Sequence, residues 1–219
     1  RLITGSISKY NPHPSAALSL PPGRRILVPG QVEDDASIRL GTRDICTNLA
    51  LLRSTREQNP DAIVIYKPHP DVEAGLRPGA LSEATGYCDI IAADCDPISL
   101  INQVDEVWTM TSLLGFEALI WGKAITCLGR PFYSCWGLTH DRHEVPRRQA
   151  RPDILGLIHA CLIEYPRYFD PMSKLPCPPE VVIERLAAAA DLPQACYLRP
   201  LAKIQGVFAS QAHLWRNMR

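Results

Sequence analysis

Short apolar runs recur through the first two thirds of the chain, and three of them end directly in polar clusters. The runs are Arg25-Ile26-Leu27-Val28-Pro29-Gly30, Ala62-Ile63-Val64-Ile65-Tyr66, Asp89-Ile90-Ile91-Ala92, Glu106-Val107-Trp108-Thr109 and Ala124-Ile125-Thr126-Cys127-Leu128. Continuous apolar runs, rather than alternating ones, predict strands of a parallel sheet covered on both faces. Residues 43–58 place Ile45, Leu49, Ala50 and Leu52 on one face with Arg and Glu opposite, which predicts an amphipathic helix. Pro97–Asn102 predicts a short helix with Pro near its first turn, and Ser112–Trp121 predicts another. Strands alternating with helices across short links predict right-handed βαβ units and a doubly wound, Rossmann-like α/β sheet.

The pattern changes on either side of that region. Residues 1–24 carry Pro12, Pro14, Pro21 and Pro22 and read as an irregular segment. Beyond Gly129 a long loop runs to about Pro152, followed by predicted helices near 153–166, 178–190 and 198–216. Residues 25–150 are therefore the expected α/β domain, and 151–219 a helical C-terminal extension.

The polar clusters lie between Gln31 and Glu117. A parallel sheet that ends several strands in polar residues presents a site along its carboxyl edge, where open α/β sheets bind ligands. The first cluster is Gln31-Val32-Glu33-Asp34-Asp35. Adjacent carboxylates repel, which raises at least one pKa unless cations or hydrogen bonds offset it, and the group can supply a nucleophile and a base. In an extended segment Glu33 and Asp35 point the same way. The alternative is a solvated acidic turn, or a helix cap made by Asp34 or Asp35.

The second cluster is Lys67-Pro68-His69-Pro70-Asp71. Its prolines restrict His69, and Lys67 and His69 alternate onto one side where both can donate to a phosphate. An ordinary turn is the alternative. In the third, Thr109-Met110-Thr111-Ser112 opens the helix containing Gly115 and Glu117. Hydroxyls and N–H groups at a helix N-terminus attract anions, or Thr111 and Ser112 simply cap it. Gly115 permits close approach of a ligand or a neighbouring backbone. Glu117, in an otherwise apolar helix, needs a partner: a sugar or ribose hydroxyl pair, or a core Arg. Carboxylates, a base and anion-binding donors together point to transfer chemistry on a phosphate-bearing ligand.

Composition narrows the class only a little. Lys plus Arg and Asp plus Glu number 23 each, so net charge gives no reason to expect nucleic acid. At 219 residues and 46% apolar, the chain can bury a full core. Arg142, Arg147, Arg148 and Arg151 crowd one segment, and Arg216 and Arg219 end the chain. Cys46, Cys88, Cys95, Cys127, Cys135, Cys161, Cys177 and Cys196 form no CxxC pair and read as reduced core thiols of a cytosolic protein. No apolar run reaches the roughly 18 residues of a membrane span, and no signal peptide is recognised. The chain opens without Met and in mid-pattern, as expected of a piece of something longer. His140-Asp141-Arg142-His143 lacks a third ligand at metal-site spacing and reads as a loop of positive and hydrogen-bonding residues.

Taken in order, the clusters resemble the capsular polysaccharide biosynthesis/export family. The resemblance is carried by Gln31-Val32-Glu33-Asp34-Asp35-Ala36-Ser37, Lys67-Pro68-His69-Pro70-Asp71 and Thr111-Ser112-Leu113-Leu114-Gly115-Phe116-Glu117-Ala118-Leu119. Gly129-Arg130-Pro131-Phe132-Tyr133, Trp136-Gly137-Leu138-Thr139-His140-Asp141 and Tyr165-Pro166-Arg167-Tyr168 follow, then Asp170-Pro171 and Pro176-Cys177. KpsC-type members of that family are β-Kdo transferases that use CMP-Kdo. The resemblance implies a GT-B-type architecture of two Rossmann-like halves with the donor between them, residues 25–150 being a nucleotide-sugar-binding domain. It implies that His69 and Pro70, with Thr111 and Ser112, match CMP-binding motifs similar to those of bacterial sialyltransferases. Glu33 and Asp35 match the acidic positions of the family's first motif, with Asp35 the candidate nucleophile. Gln31, Lys67, Gly115, Glu117 and Arg130 complete the expected donor site. Arg130 and Arg142 are expected to meet the donor's sugar carboxylate, a pairing that suits Arg. The family's other Rossmann-like half would precede Ser8-Lys9-Tyr10-Asn11, so the acceptor-facing half is expected outside this chain.

The implied mechanism needs no metal and no cofactor beyond CMP-Kdo as donor substrate. CMP is already a good leaving group, so Lys67, His69 and the Ser112 helix terminus need only neutralise its phosphate. A carboxylate nucleophile then gives retention by double displacement, with Glu33 positioning it or deprotonating the acceptor hydroxyl. Expected partners are a CMP-sugar donor and a lipid or lipid-linked saccharide acceptor, in the cytoplasm and peripherally at the inner membrane. The predicted helix near 198–216, with Leu198, Leu201, Ile204, Phe208 and Leu214, packs on the core or touches that membrane surface. Two other readings stay open: a CMP-sugar-binding module without turnover, and a sialyltransferase-like enzyme.

Overall fold

Arg25–Pro29 (β1), Ile63–Lys67 (β2), Ile90–Ile91 (β3), Glu106–Thr109 (β4) and Ala124–Cys127 (β5) are strands where the apolar runs predict them. The structure is a computed structural model and describes residues 1–7, 18–73, 84–170 and 172–188. The predicted helix near 198–216 and the Ser8-Lys9-Tyr10-Asn11 segment lie outside these residues. The strands form a parallel sheet in the order β3-β2-β1-β4-β5, extended by a sixth, His140–Asp141 (β6), beside β5.

Register explains why the runs are apolar throughout. Leu27 lies opposite Ile65 and Val107, and Val107 opposite Ile125, so these four side chains share one face. They pack with Ile98, Leu100 and Ile101 of the helix Pro97–Gln103, and with Leu114, Phe116 and Leu119 of the helix Leu113–Ile120. Ile26, Val28, Val64, Tyr66 and Trp108 face the other way, against Ile38 of Ala36–Gly41 (α1) and Leu51 and Leu52 of Asn48–Gln58 (α2). Pro70–Glu73 is α3, which makes Pro97–Gln103 α4 and Leu113–Ile120 α5. With a core on each face, the sheet is doubly wound. The chain runs outward from β1 to β3, then returns to place β4 on the other side of β1. The loops after β1 and β4 therefore part at the switch point, where open α/β sheets take ligands.

Several boundaries differ from the predicted ones. The helix expected over 43–58 begins at Asn48, because Thr47 caps it, its Oγ1 accepting the Ala50 N–H at 3.2 Å. Helix α1 is foreshadowed only by the capping alternative for Asp35: it has six residues, of which only Ile38 is buried, too few to show a period. Strand β6 interrupts the loop expected up to Pro152. Its register is fixed by pairing with Thr126 and Cys127.

The C-terminal extension is not wholly helical. Ile154–His159 (α6) continues as a π-helical turn over Ala160–Glu164. Tyr168–Asp170 (β7) and Leu175–Cys177 (β8) then form an antiparallel hairpin, and Pro179–Ala187 (α7) follows. Asp170 is buried and accepts both Arg185 Nε and Nη2 from α7 at 3.1 Å, a two-point pairing that fastens hairpin to helix. That guanidinium holds the Asp170 carboxyl far below the usual carboxylate range.

The cysteines are less uniformly core residues than expected. Among those described, all are free thiols; Cys88 and Cys127 are buried, whereas Cys46 is exposed. Burial pushes the Cys88 and Cys127 thiols up. Among the described residues no helix is long and apolar enough to cross a membrane.

Candidate functional site

The three polar clusters converge on one cavity of about 390 Å³ at the carboxyl ends of β1, β2 and β4. Gln31, Asp35, Lys67, His69, Pro70, Thr111 and Ser112 all line it, together with Ser37 and Leu113.

The first cluster is a turn, not an extended segment. The Asp35 N–H donates to the Val32 carbonyl at 3.1 Å, so Glu33 and Asp35 do not share a face as the extended reading requires. Glu33 Oε1 instead accepts the Asn48 N–H at 2.7 Å, which fastens the start of α2, and Glu33 is not among the residues lining the cavity. Asp35 stays at the cavity wall and also caps α1, its Oδ1 accepting the Ser37 N–H at 2.8 Å. Asp35 thus lines the cavity and makes the cap that the alternative reading expects.

Gln31 is a brace across the switch point. Its Oε1 accepts the Thr111 N–H at 2.9 Å and the Thr109 hydroxyl at 3.3 Å, and its Nε2 donates to Thr111 Oγ1 at 2.9 Å. Asn48 Oδ1 accepts the Gln31 N–H and Asn48 Nδ2 donates to the Gln31 carbonyl, each at 2.8 Å. Gln31, Asn48 and Thr109 are all buried. The β1 loop, the start of α2 and the β4 loop are therefore one hydrogen-bonded unit, and buried networks of this kind hold rigidly when fully satisfied.

In the second cluster Lys67 and His69 both line the cavity, but Lys67 is paired within the fold. Lys67 is buried, and its Nζ lies 2.9 Å from Glu73 Oε2, while Glu73 Oε1 accepts the Asp94 N–H at 3.0 Å. The lysine charge is thus compensated from inside the fold. His69 Nδ1 accepts the Asp71 N–H at 3.1 Å, so the neutral ring carries its proton on Nε2. The Asp71 carboxylate stands 3.9 Å from the same Nδ1, beyond hydrogen-bonding reach.

Ser112 caps α5, its Oγ accepting the Leu114 N–H at 3.2 Å, and the Ser112 N–H donates to Thr109 Oγ1 at 3.1 Å. Gly115 does not meet the cavity. Its missing side chain admits Tyr133, whose hydroxyl would overlap a Cβ at that position. Glu117 is half-buried on α5 and lies outside the cavity lining, so the structure does not bring it to the ligand position. Arg130 follows β5; its N–H donates to the Gly41 carbonyl at 2.7 Å, and its Nε is buried without a hydrogen-bond partner among the described residues. Arg130 is not among the residues lining the cavity. Asn48 escaped the sequence reading, and Thr109 and Tyr133 entered it only as members of motifs, because each acts through partners distant in the chain.

Arg142, expected beside Arg130, is engaged elsewhere. Its Nη2 lies 2.6 Å from Asp44 Oδ2, and His143 Nε2 lies 2.6 Å from Asp44 Oδ1. The Arg142 hydrogen bond, opposed in part by desolvation, brings the Asp44 carboxyl down to about 2. An unfolded Asp ionises near about 3.9, so this contribution is complete at neutral pH and is lost as pH falls from there toward 2. Because Asp44 is 43% exposed, solvent screening reduces its worth. Asp44→Asn should lower stability at pH 7 by about 1 kcal/mol. Urea unfolding at pH 7 and pH 3 should show the gap to wild type narrowing in acid.

A doubly wound parallel sheet with a cavity over its switch point is a Rossmann-like arrangement suited to a ligand at its carboxyl edge. Comparison with known proteins places it further. A family model described as capsule polysaccharide biosynthesis protein matches residues 10–168, and the chain belongs to that family. It is 43% identical over 220 aligned residues to the capsule polysaccharide modification protein LipA of Neisseria meningitidis serogroup B, covering 95% of this chain and 31% of that protein. It is 50% identical over 167 residues to the lipopolysaccharide-processing protein LpsZ of Rhizobium meliloti, covering 74% of this chain and 38% of that one.

Two solved structures from Thermosulfurimonas dismutans KpsC are similar. The β Kdo 2,7 transferase superposes with a TM-score of 0.71 at 41% identity, over 78% of this chain and 55% of that one. The β Kdo 2,4 transferase gives 0.75 at 34%, over 85% and 59%. The chain thus spans about a third of these curated relatives and little more than half of these structures. It is related to the KpsC Kdo transferases.

Proposed function

We propose that the chain carries the donor site of a capsule glycosyltransferase that takes Kdo from CMP-Kdo and passes it to a lipid or Kdo-lipid acceptor at a cytoplasmic membrane face. The observation that carries this reading is the convergence of Asp35, His69 and the Ser112 helix start on one cavity at the sheet's switch point. The Kdo specificity of the two similar KpsC structures supports the choice of sugar. In this reading residues 25–150 are the nucleotide-sugar-binding domain, flanked by 1–24 and 151–219. The acceptor site falls to the part of the relatives that this chain does not span.

The CMP phosphate lies at the N-terminus of α5, where the Leu113 N–H, which has no carbonyl within the helix, and the helix dipole favour an anion, with His69 Nε2 donating. Lys67, already neutralised by Glu73, adds little net charge, so preorganised donors carry most of the stabilisation. Arg130 lies outside the cavity lining and is not assigned to the sugar carboxylate. Asp35 attacks the anomeric carbon; its C–O bond forms as the bond to phosphate breaks, and CMP leaves with the electron pair. The acceptor hydroxyl, losing its proton to a base, then displaces Asp35 from the same carbon. Two inversions give net retention. Glu33, held by Asn48, orders the loop that carries Asp35 and is not assigned as the base.

Mass spectrometry after exposure to CMP-Kdo tests this directly. A Kdo adduct on the peptide containing Asp35, discharged by added acceptor in a protein that also carries the acceptor half, is the expected result. Product of inverted configuration with no adduct would refute the double displacement.

A further inference from the structure

We infer that Tyr133 is a positioning residue for the donor phosphate, acting through the peptide group that joins Ser112 to Leu113. This rests on the reading of the cavity as a CMP-sugar site. Tyr133 is fully buried, in an aromatic cluster with Phe116 and Phe132 at ring-centroid distances of 5.9 and 5.1 Å. A buried hydroxyl without a partner is costly, and this one donates to the Ser112 carbonyl at 2.5 Å. Gly115, one turn into α5, leaves the space that the hydroxyl occupies. Burial also pushes the Tyr133 hydroxyl well up, so it remains a donor throughout the working pH range.

A trans peptide group is planar, with its C=O and N–H pointing in opposite directions. The Ser112 carbonyl is held from below by Tyr133 and by the Gly115 N–H, the latter at 3.1 Å. Clamping that carbonyl fixes the Leu113 N–H toward the open end of the helix. Leu113 is the first residue of α5, one of those whose N–H finds no carbonyl within the helix. Ser112 and Leu113 both line the cavity. The arrangement aims a backbone donor at an anion. A tyrosine serving packing alone would need no hydroxyl, and Phe in its place would leave ligand affinity untouched.

Calorimetry with CMP and with cytidine separates the two roles, because their affinity ratio isolates the phosphate contribution. In Tyr133→Phe that ratio should fall about fivefold, the worth of one hydrogen bond, while cytidine affinity and the circular dichroism spectrum stay at wild-type values. Gly115→Ala, which keeps the tyrosine but displaces its hydroxyl, should lower the ratio as well and guards against a folding defect in the first variant. If either folded variant retains the full wild-type ratio, Tyr133 has a packing role only. If wild type itself binds CMP no better than cytidine, the CMP-site reading fails, and this role with it.

Discussion

In the Asp35→Ala protein, Kdo transfer is expected to fall by about ten-thousandfold while CMP still binds, since removing a covalent nucleophile leaves binding and electrostatic stabilisation in place. The difficulty is that Asp35 also caps α1, so alanine removes a helix cap worth about 1 kcal/mol along with the carboxylate. Asp35→Asn resolves this. Asparagine caps as well as aspartate does, yet its amide is no nucleophile. Both variants should lose the covalent Kdo adduct and transfer, but only Asp35→Ala should lose measurable stability. Transfer by Asp35→Asn at near the wild-type rate would mean that the residue is there for the helix alone.

Asn48→Ala should be the most destabilising single change near the site, by about 2–4 kcal/mol in urea unfolding. Asn48 is buried and satisfies both the N–H and the carbonyl of Gln31, each at 2.8 Å. Alanine leaves two backbone groups inside the protein with no partner, each carrying its full desolvation cost. The damage should spread, because Gln31 is also what holds Thr111 and, through Thr109, Ser112. CMP affinity should therefore drop in Asn48→Ala under conditions where the protein is still folded. A loss below about 0.5 kcal/mol, the range of an ordinary surface change, would show that the network does not brace the switch point.

The sequence carried the sheet clearly and the site only in outline. Strands β1, β2, β4 and β5 are legible because a strand covered on both faces must be apolar at every position, and Leu27, Val64 and Val107 obey that rule. Strand β6 is not legible: His140 and Asp141 have no apolar signature and become a strand only because β5 offers an unpaired edge. Helix α1 is too short to show a period, although the capping alternative for Asp35 anticipated its start. The cavity wall was readable because each polar cluster follows a strand, and topology brings parallel strand ends to one edge. What each side chain does there was not. Lys67 is turned to Glu73, Glu33 to Asn48 and Arg142 to Asp44, pairings that arise only once the chain is folded. Gly115 was singled out for close approach of a ligand or a neighbouring backbone, and what approaches is the Tyr133 side chain.

Titration of the protein with CMP and with UDP, followed by calorimetry, tests the central claim most directly. The cavity is expected to bind CMP and to hold UDP at least about tenfold more weakly, a difference of roughly 1.4 kcal/mol. Preference for UDP, or no binding of CMP at all, would contradict the assignment of this cavity as a CMP-sugar donor site.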